Sequence, residues 1–80
     1  MARRTRFTRA QMFGIRPRMM AERTKRQLAK LREKAALLAE PWYEFDGSVQ
    51  TAADDLARAF DTFAAHIDGS VEYLNEQPEL

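Results

Sequence analysis

From Val49 to Leu74 the apolar residues recur at alternating steps of four and three: Val49, Ala53, Leu56, Phe60, Phe63, Ile67, Ser70, Leu74. Seven of these eight positions are apolar, which predicts an amphipathic helix with a heptad seam rather than a strand. The residues beside the seam, Ala52, Ala57, Ala59 and Ala64, are small enough to let a partner helix approach closely. Asp54, Asp61 and Asp68 recur at steps of seven on the far side, with Asp55, Arg58 and Glu72 nearby, so that face is acidic and solvated. A second, weaker seam of Ala21, Thr24, Leu28, Leu31, Ala35 and Leu38 predicts a helix over residues 18–39. Its polar positions hold Arg23, Lys25, Arg26, Lys30, Arg32 and Lys34.

Punctuation between these segments sets the chain's plan. Pro17 suits the first turn of the second-seam helix, and Pro41 predicts its end near Ala39. Residues 40–48 form an aromatic turn with Trp42, Tyr43 and Phe45, expected to plug the end of a hairpin. Asp46-Gly47 supplies the reversal and Ser48 the expected N-cap. The main helix is expected over residues 49–76, continuous or mildly kinked at Gly69, followed by a free tail at 77–80. Upstream, residues 1–17 make a basic arm. There Thr8 caps a short turn through Arg9–Phe13, Gly14 ends it, and Phe7, Phe13 and Ile15 anchor the arm to the body. The expected fold is therefore all-α: a two-helix antiparallel hairpin with an Arg-rich N-terminal arm, completed by oligomerisation or by docking on a partner.

Completion from outside is an energetic expectation. Eighty residues lie near the lower limit for a self-sufficient core, and no cysteine offers a disulfide. Burying a large apolar side chain contributes about 1.5–3 kcal/mol, while ordering costs on the order of 1.5 kcal/mol per residue. A lone hairpin of this size comes out close to zero.

Charge changes the picture further. The formal net charge is only +1, but residues 1–34 hold twelve bases against two acids, and residues 35–80 hold ten acids against one base. Such segregation predicts attraction between the halves, or partners of opposite sign for each. Laid antiparallel, the two helices would balance charge, with exposed pairs worth about 0–1 kcal/mol that choose orientation more than they supply stability.

Arg4-Thr5-Arg6-Phe7-Thr8-Arg9-Ala10-Gln11 resembles the N-terminal arm and first-helix start of a homeodomain, where arginines enter the minor groove and the Phe packs in the core. The likeness covers about ten residues. Gly14 and Pro17 fall where the first helix should continue, and no Trp-Phe-x-Asn recognition helix follows. It reads as convergence on an arginine arm.

Arg3, Arg4, Arg6, Arg9, Arg16 and Arg18 are accordingly the candidate nucleic-acid contacts, directed at backbone phosphates rather than base edges. Leu56, Phe60, Phe63, Ile67, Leu74 and Trp42 are the candidate protein interface. The single His66 is expected to be half-buried and structural; no nucleophile pattern, metal-ligand spacing or Gly-rich phosphate loop surrounds it. No catalytic residue, metal, cofactor or small-molecule substrate is expected, and no apolar run is long enough to span a membrane.

The function these features suggest is a small non-enzymatic assembly or adaptor protein in a nucleoprotein setting. It would be cytoplasmic or inside a nucleoprotein particle, with mitochondrial targeting the minor alternative given the acid-free, Arg-rich arm. Its partners would be a homo-oligomer or larger protein, and non-sequence-specific nucleic acid. The alternative is an accessory or inhibitory module of phage or mobile-element type that binds a host protein complex, its arm gripping an acidic groove.

Overall fold

A computed structural model describes residues 5–79. The fold is all-α, and its order is α1 (Arg9–Phe13), α2 (Pro17–Ala39), a 3-10 turn (Glu40–Trp42) and α3 (Gly47–Leu74). Arg3, Arg4 and Leu80 lie outside the described residues.

Local chemistry accounts for each boundary. Thr8 caps α1 in a reciprocal capping box. Its hydroxyl accepts from the Gln11 amide at 3.1 Å, and the Gln11 side chain accepts from the Thr8 amide at 2.9 Å. Gly14, at φ 68°, takes the left-handed position that ends α1. Pro17 opens α2, where its missing N–H costs nothing. Gly69 interrupts nothing, and α3 runs unbroken to Leu74. It ends two residues earlier than the expected bound of 76, and the Asn75 amide returns to the Val71 and Glu72 carbonyls.

Asp46, rather than the expected Ser48, caps α3. Its carboxylate accepts the Ser48 amide at 3.0 Å and the Ser48 hydroxyl at 2.6 Å, so the helix begins at Gly47. A carboxylate at the N-cap also meets the positive end of the helix, which a serine hydroxyl does less well. These two hydrogen bonds from Ser48 hold the Asp46 carboxyl below its ordinary value.

The long helices pack side by side and run in opposite directions. Ion pairs fix their register: Lys25 Nζ to Asp68 at 3.0 Å, and Arg32 to Asp61 at 3.2 Å. The residues of α3 turned towards α2 and half-buried are Val49, Ala53, Ala57, Phe60, Ala64, Ile67, Ser70, Val71 and Leu74. This set differs from the expected seam at three places. Ala57 and Ala64 replace Leu56 and Phe63, and Val71 joins Ser70, so the helix is rotated towards its alanines. Two causes agree. Alanines allow close backbone approach, and the rotation brings Asp61 and Asp68 within reach of the bases on α2. Leu56 and Phe63 are left 45% and 51% exposed. On α2 the inward residues are Pro17, Ala21, Thr24, Leu28, Ala35 and Ala39, while Leu31 and Leu38 of the expected seam point outward.

The result is one helix thick. Its extents are 62 × 24 × 11 Å, and its radius of gyration of 18.5 Å exceeds the roughly 12 Å of a compact domain this long. Among the described residues the buried apolar side chains are Ala10, Pro17 and Ala21.

Two expectations about aromatic anchoring are corrected. Only Tyr43 of the aromatic turn is half-buried, whereas Trp42 and Phe45 are exposed, Phe45 by 82%. A hairpin one helix thick offers no second layer for three rings to plug. In the arm, Phe7 and Phe13 are exposed and only Ile15 is half-buried, because a single-turn helix presents one side to the body and Ala10 occupies it. His66 is exposed as well, on the side of α3 away from α2.

Phe60→Ala removes the largest side chain between α2 and α3. It should cost about 1.5–3 kcal/mol, read as a lower urea midpoint at fixed protein concentration. The Asp46 cap makes stability pH-dependent. Because its carboxyl is depressed in the folded state, its contribution is full above the ordinary value of 3.8 and is lost as pH falls through the lower folded value. Asp46→Asn should keep the cap but lose that acid-limb dependence, whereas Asp46→Ala should lower the melting temperature at neutral pH. Thermal melts between pH 2 and 7 check both, a range set by the ordinary carboxylate values.

Candidate nucleic-acid interface

The arm does not extend into solvent over its described residues; it folds back on the far end of the chain. The Arg9 amide donates to the Glu76 carbonyl at 3.0 Å, and the Thr5 amide donates to the Pro78 carbonyl at 3.2 Å. Gln77 Nε2 donates to the Arg6 carbonyl at 3.4 Å. The segment expected as a free tail therefore helps hold the arm, Pro78 as an acceptor and Gln77 as a donor, with Glu76 accepting just before it. Backbone pairing, with Ala10 of α1 buried against the body, does what the phenylalanines were expected to do.

Arg9 is the side chain most engaged by this docking. Its guanidinium lies 4.0 Å from the centre of the Tyr73 ring, donates to the Tyr73 carbonyl at 3.0 Å and approaches Glu76 at 3.5 Å. Stacking on an aromatic face while donating to a helix C-terminal carbonyl combines two favourable sites for a cation. Arg6 is exposed beside it. Arg16 precedes α2 as its N-cap, with only a 3.8 Å approach to the Met19 sulfur, and Arg18 stands exposed in the first turn. Arg16 and Arg18 share a shallow groove with Thr8, Gln11 and Asn75, so the fold brings these two arginines together at the end where the arm docks. Arg3 and Arg4 belong to the undescribed residues.

The bases of α2 fall into two groups. Lys25 and Arg32 point across to α3 and are taken up by Asp68 and Asp61. Arg23, Arg26, Lys30 and Lys34 recur at steps of three and four along the outer edge, exposed and without an ion-pair partner among the described residues. This ridge was not singled out from sequence, although its helical spacing was legible there. What was missing was knowledge of which side α3 would occupy. On α3, Arg58 pairs within its own helix with Asp55.

The six interface candidates divide as well. Phe60, Ile67 and Leu74 are used between α2 and α3, while Leu56, Phe63 and Trp42 remain exposed. A shallow apolar groove joins Leu38 of α2 to Val49, Ala52 and Leu56 of α3, and another joins Met20 to Ile67 and Ser70. The grooves on the other side of the hairpin are lined instead by charged residues, among them Arg32 and Asp54, and Lys25 and Asp68. The hairpin thus has an ion-paired face, an apolar face, and a basic outer edge. No described helix is long and apolar enough to cross a membrane.

Compared with protein-family models, curated proteins and solved structures, the chain matches none of them.

Proposed function

We propose that this chain is a small non-enzymatic assembly or adaptor protein in a nucleoprotein setting. The helical hairpin self-associates or docks through its apolar face, and its basic end and edge lie along a nucleic-acid backbone. The observation that carries this reading is the sorting of charge: the bases of α2 not spent on α3 line one outer edge, beside the arginines at the arm's end. A row of cations on one helical edge suits phosphates repeating along a strand.

A second reading is favoured by Trp42 and Phe45, two aromatics exposed together at the turn. In that reading the protein is an accessory or inhibitory module that docks on a larger protein, the turn serving as its anchor.

A salt titration on two unrelated duplexes tests the first reading. If about four cations engage phosphates, log affinity against log salt should fall with a slope near about −3.6, alike for both sequences. Deleting residues 2–9, which hold four arginines, should flatten the slope while helicity is retained. Arg9→Gln should change the slope less than Arg18→Gln, because Arg9 is occupied by Tyr73 and Glu76. Absence of binding by the intact chain at low salt overturns the nucleic-acid reading. Recovery of one stoichiometric protein from lysate, insensitive to nuclease and abolished by Trp42→Ala, supports the second.

A further inference from the structure

The apolar face described above has a preferred occupant. We propose that it is covered by a second copy of this chain, related by a two-fold axis running along the hairpin. In that arrangement α2 of each copy lies on α3 of the other, and both arms emerge at the same end. The inference deepens the self-association half of the proposed function and does not depend on nucleic-acid binding.

The need for a cover comes from thickness and area. At 11 Å the molecule is a single layer of helices, whereas helices bury their apolar stripes in two layers. It exposes 6842 Å², against about 5,000 Å² for a compact monomer of 9.3 kDa. The excess is more than the roughly 800 Å² per partner of a standard interface.

Position identifies the face. The Lys25–Asp68 and Arg32–Asp61 pairs occupy one side of the hairpin. Helical periodicity puts Met20, Leu31 and Leu38 of α2, and Leu56 and Phe63 of α3, on the other, all of them 45% or more exposed. Apart from Lys34 at its edge this stripe carries no charge, and Ala52 and Ala59 beside it allow close approach.

Register and charge identify the occupant. The two ion pairs place Leu31 level with Phe63, and Leu38 level with Leu56. A two-fold axis along the hairpin therefore sets Leu31 of one copy against Phe63 of the other, and Leu38 against Leu56, each contact made twice. Such self-complementarity is what a two-fold interface requires. A two-fold axis across the hairpin would instead stack α2 on α2 and α3 on α3. The first pair of helices would each carry seven bases and two acids, and the second five acids and one base. Like-charged helices would then face each other, whereas the axis along the hairpin sets opposite charges together at both contacts. The assembled form is a four-helix bundle with its arginine arms paired at one end.

Native mass measurement with charge-pair mixing tests the proposal. The wild-type chain should appear at twice its 9.3 kDa mass. Leu31→Glu alone and Phe63→Lys alone should each weaken the dimer at least tenfold. An equimolar mixture should restore it, because the mixed dimer holds one Glu–Lys contact and one native Leu–Phe contact. The rescue also answers the objection that either variant simply fails to fold. A spin label at an introduced cysteine, Glu44→Cys, should give a label–label distance well below the roughly 40 Å length of α3, since both turns lie at one end. The chain otherwise has no cysteine. A folded wild-type monomer, or a variant that dimerises unchanged, overturns the proposal. So does a mixture without rescue, or a label distance near the hairpin's length. The salt titration is independent of all four outcomes, so failure here and failure of the nucleic-acid reading are told apart.

Discussion

A pair of helices one helix thick can bury side chains only along the line where the helices meet. That constraint governs this protein. Close contact between α2 and α3 admits small residues, so Ala21, Ala35 and Ala39 meet a stripe that includes Ala53, Ala57 and Ala64. Phe60, Ile67 and Leu74 supply the larger apolar contacts, and even these stay half-buried. Larger side chains that would have widened the line, Leu56 and Phe63, are displaced to one face. Tight approach and a thin core are the same fact, and both leave apolar surface exposed.

Electrostatics selects among the ways the thin hairpin can form. Pairs such as Lys25–Asp68 and Arg32–Asp61 are exposed, so each adds little stability. They still favour one rotation of α3 about its axis. With Asp61 and Asp68 aimed at α2, Leu56 and Phe63 must face away from the ion pairs. A modest energy term thus sorts the molecule into a charged face, an apolar face and a basic outer edge, and the two functional proposals take up the last two.

The arm shows how a terminus rich in arginine can be docked without a large apolar anchor. Its amides find carbonyls at Glu76 and Pro78, and Arg9 finds the Tyr73 ring and a carbonyl at the end of α3. The C-terminal end of a helix offers unpaired carbonyls and partial negative charge, which suits a cationic strand. This docking sets Arg16 and Arg18 beside α1 at one end of the molecule. It also occupies Arg9 within the fold, separating it from the other arginines that composition had grouped with it.

Much of the architecture was legible in residue order because it depends on local chemistry. The all-α class, the Thr8 cap, the Gly14 terminator and the Pro17 start all follow from neighbours within a few positions. Cap choice at α3 was two residues off, since Asp46 and Ser48 are both good caps and only backbone geometry decides between them. The rotation of α3 was not legible. Leu56 and Ala57, like Phe63 and Ala64, are apolar neighbours, so periodicity accepts either as the inward residue. Deciding between them required the distance between helix axes and the reach of Lys25 and Arg32 to their acids. Long-range pairings such as Arg9 with Tyr73 join residues far apart in the chain, and no local pattern encodes them. Sequence by itself determined which segments are helical and which charges they carry. Tertiary structure decided which apolar residues are spent inside the hairpin, because that choice belongs to the contact between helices and to neither helix alone.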